Sequence, residues 1–286
     1  MLKYLNSVKT LHIEPTNICQ AACPQCPREL NNEFDKNDHR SLTVDDIKSI
    51  LPNNVIANLH KMFLCGVYGD PAAGNALEIY QHFRSVNPNI VLGMNTNGAL
   101  QSTAWWSSLG QIINQQQDYV IFSLDGLEDT NHIYRKNVIW KKALANITAF
   151  IAAGGNAHWD MLVFKHNEHQ VDACEQMAKQ LGFKWFRAKV SRRPLVDGLQ
   201  FPVNWKRPSK SAGEIMCQAL SENSLYLDCH GQLHPCCWLG GQLSKAVGFA
   251  DVIPTWSSDP HPICKATCSK KSSEYKDQWQ REIELC

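Results

Sequence analysis

The chain has 286 residues, with 28 lysines and arginines against 27 aspartates and glutamates, for a formal net charge of +1. Hydrophobic residues make up 44% of the sequence, which excludes wholesale disorder and allows a sizeable core. The near-zero charge gives no basic surface for nucleic acid or an anionic membrane, and no run approaches the roughly 18 apolar residues of a membrane span. The amino-terminal segment is too polar for a signal peptide, so we expect a cytoplasmic protein that binds neither nucleic acid nor membrane.

Short apolar runs alternate with longer amphipathic segments through the first two-thirds of the chain. The predicted strands are 10–14, 62–65, 90–94, 119–123, 159–164 and 184–188. The predicted helices are 43–51, 76–86, 103–115, 140–153 and 170–181. Strand followed by helix, repeated, is typical of parallel βα units whose functional loops lie at the carboxyl ends of the strands. Six such units predict an α/β fold, a partial (β/α)6 barrel related to the TIM barrel.

The helical and strand periodicity ends near residue 190, and the proline-containing stretch 192–211 indicates a connector. The remaining segment is rich in cysteine and in loops. So small a domain needs a cross-link for stability, which its cysteines could provide by binding a metal. The predicted domains are therefore 1–200, the partial barrel, and 201–286, a small cysteine-rich domain.

Ten of the twelve cysteines fall in two groups, one near each end of the chain. Because nothing directs the chain to an oxidising compartment, we interpret both groups as metal or iron–sulfur ligands rather than disulfides. Cys19, Cys23 and Cys26 form C-x3-C-x2-C on one loop after the first predicted strand. A ferredoxin-type cluster would have a fourth local cysteine; three ligands leave one iron of a [4Fe–4S] cluster open. A zinc site completed by a distant ligand such as His39 is the alternative.

This loop resembles the signature of the radical S-adenosylmethionine (SAM) superfamily. The resemblance implies a [4Fe–4S] cluster whose open iron takes the amino and carboxylate groups of SAM. It also implies reductive cleavage of SAM to a 5′-deoxyadenosyl radical, hydrogen abstraction from a substrate, and a reductant such as flavodoxin or ferredoxin. The residue before the third cysteine is often aromatic in the family and lies near the adenine; here it is Gln25.

Later motifs follow the order of the family's cofactor contacts, although each is weak alone. The segment 65–71 is similar to the family's Gly-Gly-Glu-Pro segment, whose carbonyls receive the methionine ammonium; Tyr68, Gly69 and Asp70 are its candidate residues here. Asn97 lies in a Thr-Asn-Gly sequence that often follows the third strand in the family.

Two further matches follow the fourth and fifth predicted strands. Ser123 and Arg135 are similar to a pair that holds the cofactor carboxylate in many relatives, and arginine presents a planar fork suited to a carboxylate. Asn167 lies where relatives often place a ribose contact. Taken in order, these matches imply that the resemblance covers residues 10–190.

The second cysteine group resembles the auxiliary-cluster extension of the same superfamily, called SPASM or twitch. A hairpin is predicted over 225–237, turning at His230–Gly231. The resemblance implies one auxiliary [4Fe–4S] cluster, whose expected ligands are Cys217, Cys236, Cys264 and Cys268. A zinc knuckle with four cysteine ligands is the alternative.

The reaction itself stays open between two outcomes. In the first, the auxiliary cluster accepts an electron from the substrate radical, and a small molecule or peptide side chain is oxidised. In the second, a thiol returns a hydrogen atom and the substrate is epimerised; the candidate thiols are Cys65, Cys229, Cys237 and Cys286. The first strand begins near residue 10, so we expect no leader-binding domain, and a small molecule or short peptide taken directly. The non-enzyme alternative is an iron–sulfur electron carrier or zinc-binding scaffold, which does not explain three ligands in place of four.

Overall fold

The computed structural model describes residue 5 and residues 7–196, 198–206, 214–240, 261–268 and 279–286. Its strands are β1 (Thr10–Ile13), β2 (Lys61–Leu64), β3 (Val91–Thr96), β4 (Tyr119–Ser123), β5 (Ala157–Val163), β6 (Trp185–Val190), β7 (Ser224–Leu227), β8 (Leu233–His234) and β9 (Arg281–Glu284). These nine strands form one mostly parallel sheet in the order β8-β7-β1-β2-β3-β4-β5-β6-β9. The α/β fold class predicted from the sequence is confirmed.

The helices of the described residues lie largely between successive strands. They are α1 (Pro27–Leu30), α2 (Val44–Ile50), α3 (Asn53–Ala57), α4 (Ala76–Val86), α5 (Thr103–Ile112), α6 (Glu128–Tyr134), α7 (Trp140–Ala152), α8 (Val171–Leu181), α9 (Gln218–Ser221), α10 (Cys237–Gly240) and α11 (Pro262–Cys268). None of them is long and apolar enough to cross a membrane. Every helix and strand predicted for residues 1–200 is present, with ends that differ by three residues at most.

Local sequence signals account for several of these boundaries. Thr43 begins α2 with a capping box, because its hydroxyl accepts the N–H of Asp46 at 3.1 Å while the Asp46 carboxylate accepts the N–H of Thr43 at 2.8 Å. Gly182 ends α8 in the left-handed region at φ 84°, which glycine adopts without steric cost. Along β5, buried and half-buried residues alternate, as expected of a strand with one face packed on helices and one face more open.

The chain forms two compact units. The first comprises Met1–Ile18, Asn32–Gly93 and Ser211–Tyr275, and it contains β1, β2, β7 and β8. The second comprises Cys19–Asn31, Met94–Lys210 and Lys276–Cys286, and it contains β4, β5, β6 and β9. The first cysteine group therefore belongs to the second unit, and the described members of the second group, apart from Cys286, belong to the first.

The carboxyl-terminal segment contributes strands to both units. β7 pairs in parallel with β1, with Thr10 opposite Ser224, and β8 pairs antiparallel with β7 as the predicted hairpin requires. β9 pairs antiparallel with β6. The hairpin is confirmed, whereas the pairing with β1 and the strand β9 were not predicted. The domain boundary at residue 200 stays a prediction.

Candidate functional site

The first cysteine group lies on the loop between β1 and α1. Cys26 begins α1: its carbonyl accepts the N–H of Glu29 at 2.9 Å and of Leu30 at 3.0 Å, and Pro27 takes the first helical position, where no N–H is needed. The N–H of Cys26 donates to the carbonyl of Cys23 at 2.9 Å. Hydrogen bonds on both sides of Cys26 thus fix the backbone between the second and third cysteines.

Nitrogen donors lie near two of the three sulfur atoms of this loop. Cys19 Sγ accepts the backbone N–H of Ala21 at 3.4 Å and the side-chain amide of Asn97 at 3.9 Å. Cys23 Sγ accepts Nη1 of Arg135 at 3.9 Å. Hydrogen bonds to cysteine sulfur stabilise thiolates and tune the potential of iron–sulfur clusters, so these donors suit a cluster at this loop.

The charge balance of the loop also fits a metal cluster. Burial raises the pKa of the Cys23 thiol, and Arg135 lowers it in part. Burial likewise raises the pKa of the Cys26 thiol, and Arg193 and Arg135 oppose this effect. A bound cluster would supply the positive charge that keeps such buried sulfurs deprotonated.

No three histidine, cysteine or acidic side chains among the described residues are placed to hold a metal ion together. A [4Fe–4S] cluster binds each thiolate through a different iron atom. The fit to a cluster therefore rests on the donor set of Cys19, Cys23 and Cys26 and on the nitrogen donors around it.

A buried ion pair stands beside the cysteine loop. Arg135 follows α6 directly, and its Nε lies 2.6 Å from Oδ2 of Asp125, whose side chain is fully buried. The other oxygen of Asp125 accepts the N–H of Leu162 at 2.6 Å. Burial alone would lower the pKa of the Arg135 guanidinium, but Asp125 and Cys23 raise it above its ordinary value. Nη2 of Arg135 has no hydrogen-bond partner among the residues that the structure describes, so this nitrogen can donate a hydrogen bond to an anion.

Asn97 follows β3 and joins this end of the sheet to the cysteine loop. Its Oδ1 accepts Nε2 of Gln20 at 2.7 Å and the N–H of Ala99 at 3.0 Å, and its Nδ2 faces Cys19 Sγ. Asn97 thus contacts the loop that carries the predicted cluster ligands. Its role as a direct cofactor contact stays a prediction.

Gln25 occupies the position that is often aromatic in the family, and its fully buried side chain is occupied by protein partners. Its Nε2 donates to the carbonyl of Pro194 at 2.7 Å and of Arg193 at 3.3 Å, and its Oε1 accepts the Ser191 hydroxyl at 2.8 Å. Arg193 returns a hydrogen bond to the carbonyl of Gln25. Gln25 therefore ties the cysteine loop to the segment after β6.

The two remaining cofactor candidates of the second unit have different surroundings. Asn167 is buried: its Nδ2 donates to the carbonyls of Asp125 and Leu162, both at 2.9 Å, and its Oδ1 accepts the N–H of Phe164 at 2.7 Å. These bonds build the turn after β5. Ser123 ends β4 opposite Asp160 of β5, and it is Asp125 rather than Ser123 that binds Arg135. Ribose and carboxylate contacts by Asn167 and Ser123 stay predictions.

The loop after β2, in the first unit, is held by a carboxylate that the sequence analysis did not single out. Glu14 follows β1, and its Oε1 accepts the N–H groups of Tyr68 at 2.6 Å and Gly69 at 3.1 Å. Its Oε2 accepts the hydroxyl of Tyr226 on β7. Burial raises the pKa of Glu14 above its ordinary value, and the hydrogen bonds from Tyr226 and the loop lower it in part.

Close backbone packing fixes the rest of this loop. A Cβ at Gly69 would lie 1.9 Å from the carbonyl oxygen of Thr16, so glycine is required there. The N–H of Asp70 donates to the carbonyl of Ile18 at 2.9 Å, and the Asp70 carboxylate caps the following 3₁₀ turn through the N–H of Ala72 at 3.0 Å. Asp70 therefore has a structural role, while the Tyr68 ring stacks on another aromatic ring, Phe34, at 4.6 Å.

A cavity of about 230 Å³ opens at this loop within the first unit. Its walls combine aromatic rings, carboxylates and one thiol: Glu14, Asn17, Glu33, Phe34, Asp35, Asp38, Tyr68, Tyr226, Asp228, Cys229, His230 and Gly240. The cavity lies after the carboxyl ends of β1 and β7, which is the edge where parallel sheets carry their functional loops.

Three of the four predicted auxiliary ligands lie at one apolar cluster, and their role as cluster ligands stays a prediction. Cys217, Cys236 and Cys264 pack around one small apolar cluster that includes Leu239. Cys264 and Cys268 are four residues apart on α11 and share a face of the helix, and the N–H of Met216 donates to the carbonyl of Cys268 at 3.0 Å. Burial raises the pKa of the Cys264 thiol, and the nearby Cys268 and Cys217 thiols raise it further.

The candidate hydrogen-donor thiols are not equivalent. Cys229 lines the cavity, and burial raises the pKa of its thiol to about 12. Burial also raises the pKa of Cys237 to about 12, with Cys65 contributing further. Cys65 directly follows β2, and its carbonyl accepts a hydrogen bond from His12 Nε2 at 2.6 Å. Cys286 instead donates to the carbonyl of Phe183, before β6 begins, so it lies at the amino end of that strand and away from the functional edge.

Sequence reasoning missed Glu14, Asp125 and Arg193. Asp125 follows Ser123 by two residues, and its distance of ten residues from Arg135 gave no signal that the two would pair. Glu14 was included as the end of a strand, and only its burial among backbone N–H groups reveals a role. Arg193 lies in the stretch predicted as a connector. Its contact with Gln25 spans 168 residues, so no local pattern could indicate it.

Comparison with known proteins finds relatives at the level of structure. No protein-family model matches the sequence, and no curated protein matches it. SuiB from Streptococcus suis bound to S-adenosylmethionine aligns with a TM-score of 0.59 and 16% identity over 94% of this chain and 75% of that chain. SuiB bound to the precursor peptide SuiA gives a TM-score of 0.59 and 16% identity over 91% and 67% of the two chains.

Native anSMEcpe with bound AdoMet (SAM) and Cp18Cys peptide aligns with a TM-score of 0.57 and 16% identity over 79% of this chain and 73% of that chain. At 16% identity, these TM-scores show a shared fold and nothing more. The chain shares the fold of SuiB and anSMEcpe, both seen with bound S-adenosylmethionine, as the resemblance of its first cysteine loop implied.

Proposed function

We propose that the protein is a radical SAM enzyme that acts on a short peptide and carries one auxiliary iron–sulfur cluster. The observation that carries the proposal is the loop of Cys19, Cys23 and Cys26, with nitrogen donors directed at two of its sulfurs and the buried Asp125–Arg135 pair beside it. When bound and reduced, a [4Fe–4S] cluster at this loop supplies the electron that cleaves SAM into methionine and a 5′-deoxyadenosyl radical, which abstracts a substrate hydrogen.

The protein's own residues would hold and orient SAM. Arg135 is suited to the carboxylate of SAM for two reasons. Asp125 fixes its guanidinium plane, and no described residue accepts a hydrogen bond from its Nη2. The carbonyls of the loop 66–70 are suited to the ammonium group, and Asn97 would steady the cysteine loop against β3. Gln25 would act through the loop it ties to Arg193 and Pro194 rather than through the adenine.

A peptide substrate is favoured over other classes by two observations. Structures of SuiB and anSMEcpe contain a peptide, and both align with most of this chain. The cavity beside Tyr68 and Tyr226 offers aromatic and carboxylate side chains at the functional edge of the sheet, which suits one side chain of a peptide.

The reaction that we favour is oxidation of that side chain. The four thiols of Cys217, Cys236, Cys264 and Cys268 would fully ligate an auxiliary [4Fe–4S] cluster, which could then accept an electron but not bind substrate directly. The substrate would lose one hydrogen atom to the 5′-deoxyadenosyl radical, and then one electron to the auxiliary cluster and one proton to solvent.

Epimerisation is the second candidate, and the observation that favours it is Cys229. This thiol lines the cavity, and its raised pKa keeps the S–H bond that a hydrogen-atom donor needs. The non-enzyme alternative does not explain three cysteine ligands on the first loop in place of four.

Iron content and product masses test the proposal. Anaerobically reconstituted protein should hold about eight irons, and the triple variant with Cys19, Cys23 and Cys26 changed to alanine should keep about four and make no 5′-deoxyadenosine under dithionite. In heavy water, oxidation should give a product about two mass units lighter without deuterium at carbon, whereas epimerisation should give one deuterium at the inverted centre. A triple variant that still makes 5′-deoxyadenosine would contradict the assignment of the first cluster.

A further inference from the structure

The Glu14 side chain connects two parts of the first unit that are distant in sequence. It is only 2% exposed, and it accepts the Tyr226 hydroxyl from β7 on one oxygen and the N–H groups of Tyr68 and Gly69 on the other. The hydrogen-bond partners that the structure describes for Glu14 are all uncharged donors. A buried carboxylate held in this way is sensitive to the loss of any one donor.

The backbone of the loop that Glu14 holds is closely packed. A Cβ at Gly66 would lie 1.8 Å from the carbonyl oxygen of Gly69, and a Cβ at Gly69 would lie 1.9 Å from the carbonyl oxygen of Thr16. The direction of each carbonyl in the loop therefore depends on where the backbone N–H groups of Tyr68 and Gly69 are held. Glu14 is the side chain that holds both.

We propose that Glu14 and Tyr226 are positioning residues, which set the carbonyls of the loop 66–70 for the ammonium group of SAM and link that loop to the hairpin of the auxiliary segment. The proposal rests on the proposed function, because it takes this loop as part of the SAM site. Through the pair, the β7–β8 hairpin that carries Cys229 supports a loop more than 150 residues earlier in the chain.

The chemistry of the pair gives the expected consequence of removing it. Tyr226→Phe keeps the ring but leaves one oxygen of Glu14 buried without its donor. Glu14→Gln places an amide NH₂ group among groups that are themselves donors. In both variants the hydrogen bonds to the N–H groups of Tyr68 and Gly69 should weaken, so that these amides open more often.

Hydrogen–deuterium exchange of the full chain measures this opening without any cofactor. We expect the amides of Tyr68 and Gly69 to exchange about ten-fold faster or more in Tyr226→Phe and in Glu14→Gln, which corresponds to about 1.4 kcal/mol. Tyr80→Phe is the matched control, since Tyr80 is a buried tyrosine of the same unit whose hydroxyl donates to the carbonyl of Gly93 at 2.6 Å. The control should leave exchange in this loop unchanged.

Equilibrium dialysis of SAM against reconstituted protein adds the second readout. The dissociation constant should rise about ten-fold in Tyr226→Phe and in Glu14→Gln, with iron content unchanged, and stay unchanged in Tyr80→Phe. Unchanged exchange at Tyr68 and Gly69 would overturn the positioning role. Faster exchange with unchanged SAM affinity would overturn the link between this loop and the cofactor. A wild-type protein that binds no SAM would instead refute the proposed function, while the exchange data would still decide whether Glu14 positions the loop.

Discussion

Replacing Asp125 with asparagine should destabilise the protein and weaken SAM binding together, because the buried guanidinium of Arg135 loses its counter-charge. The carboxylate lies 2.6 Å from Nε of Arg135, and the two side chains are 0% and 16% exposed. Asparagine keeps the shape of the side chain and can still accept the N–H of Leu162, so the perturbation is the loss of charge rather than of packing.

The burial of the pair sets the magnitude. Removing one partner of a buried ion pair costs about 3–5 kcal/mol, since the remaining charge is left without compensation. In a protein of this size each kcal/mol lowers Tm by about 2–4 °C, so the variant should unfold about 6–20 °C below the wild type. Tilting of the freed guanidinium toward Cys23 should also lower SAM affinity about ten-fold or more.

Thermal unfolding followed by circular dichroism, under anaerobic conditions, checks the stability, and dialysis checks the affinity. Glu128→Gln is the control, because its partner Lys141 lies 3.8 Å away and both side chains are largely exposed; its Tm should change by about 2 °C at most. The double variant Asp125→Asn/Arg135→Gln should lose less stability than the two single variants summed. Additive losses, or a single-variant shift as small as that of Glu128→Gln, would refute this reasoning.

Three further predictions follow from the described contacts. Arg135→Lys should weaken SAM binding about ten- to a hundred-fold in a dialysis experiment with intact clusters. The control is Arg187→Lys, which alters the comparable half-buried pair of Arg187 with Asp160 and should leave SAM binding unchanged. Equal effects of the two changes would contradict the contact of Arg135 with the SAM carboxylate. Burial lowers the pKa of His12 to about 4, so the folded state resists protonation of this side chain. Between pH 6.5 and pH 5 the free energy of unfolding should therefore fall by about 1.6 kcal/mol, and His12→Gln should remove that loss in urea titrations. An unaltered pH dependence in the variant would disprove the assignment. Gln25→Ala should lower the free energy of unfolding by about 1–3 kcal/mol, and an unchanged urea midpoint would show that its bonds to the segment after β6 do not stabilise the fold.

Local pattern was sufficient to predict most of the βα units. The burial alternation of β5 and the capping box at Thr43 are determined by residues close in sequence, so their positions follow from periodicity and side-chain chemistry. The pairing of β7 with β1 joins residues more than 200 positions apart, and the sequence of neither strand indicates which strand it pairs with. β9 has the sequence Arg-Glu-Ile-Glu, too charged to be recognised as a strand before its partner β6 is known.

The candidate site divides in the same way. The spacing of Cys19, Cys23 and Cys26 predicted a shared role, because three thiols on one loop are themselves a local signal. The groups that support them, Asp125 and Glu14, act through contacts that only the folded chain creates. The resemblance gave Ser123 and Arg135 as joint contacts of the cofactor carboxylate, which stays a prediction, whereas the bonds of Arg135 to Asp125 and Cys23 appear only in the folded chain.

Pulsed electron–nuclear double resonance of the reduced protein with isotopically labelled SAM tests the central claim most directly, because it reports whether an open iron of the cluster binds the cofactor. With ¹⁵N in the amino group and ¹³C in the carboxylate, the wild-type protein should show hyperfine coupling from both nuclei to the reduced cluster. The variant with Cys217, Cys236, Cys264 and Cys268 changed to alanine should keep this coupling, and the variant with Cys19, Cys23 and Cys26 changed to alanine should lose it. A reduced cluster with no coupling to either nucleus in the wild type, or a coupling that survives the loss of those three cysteines, would contradict the account.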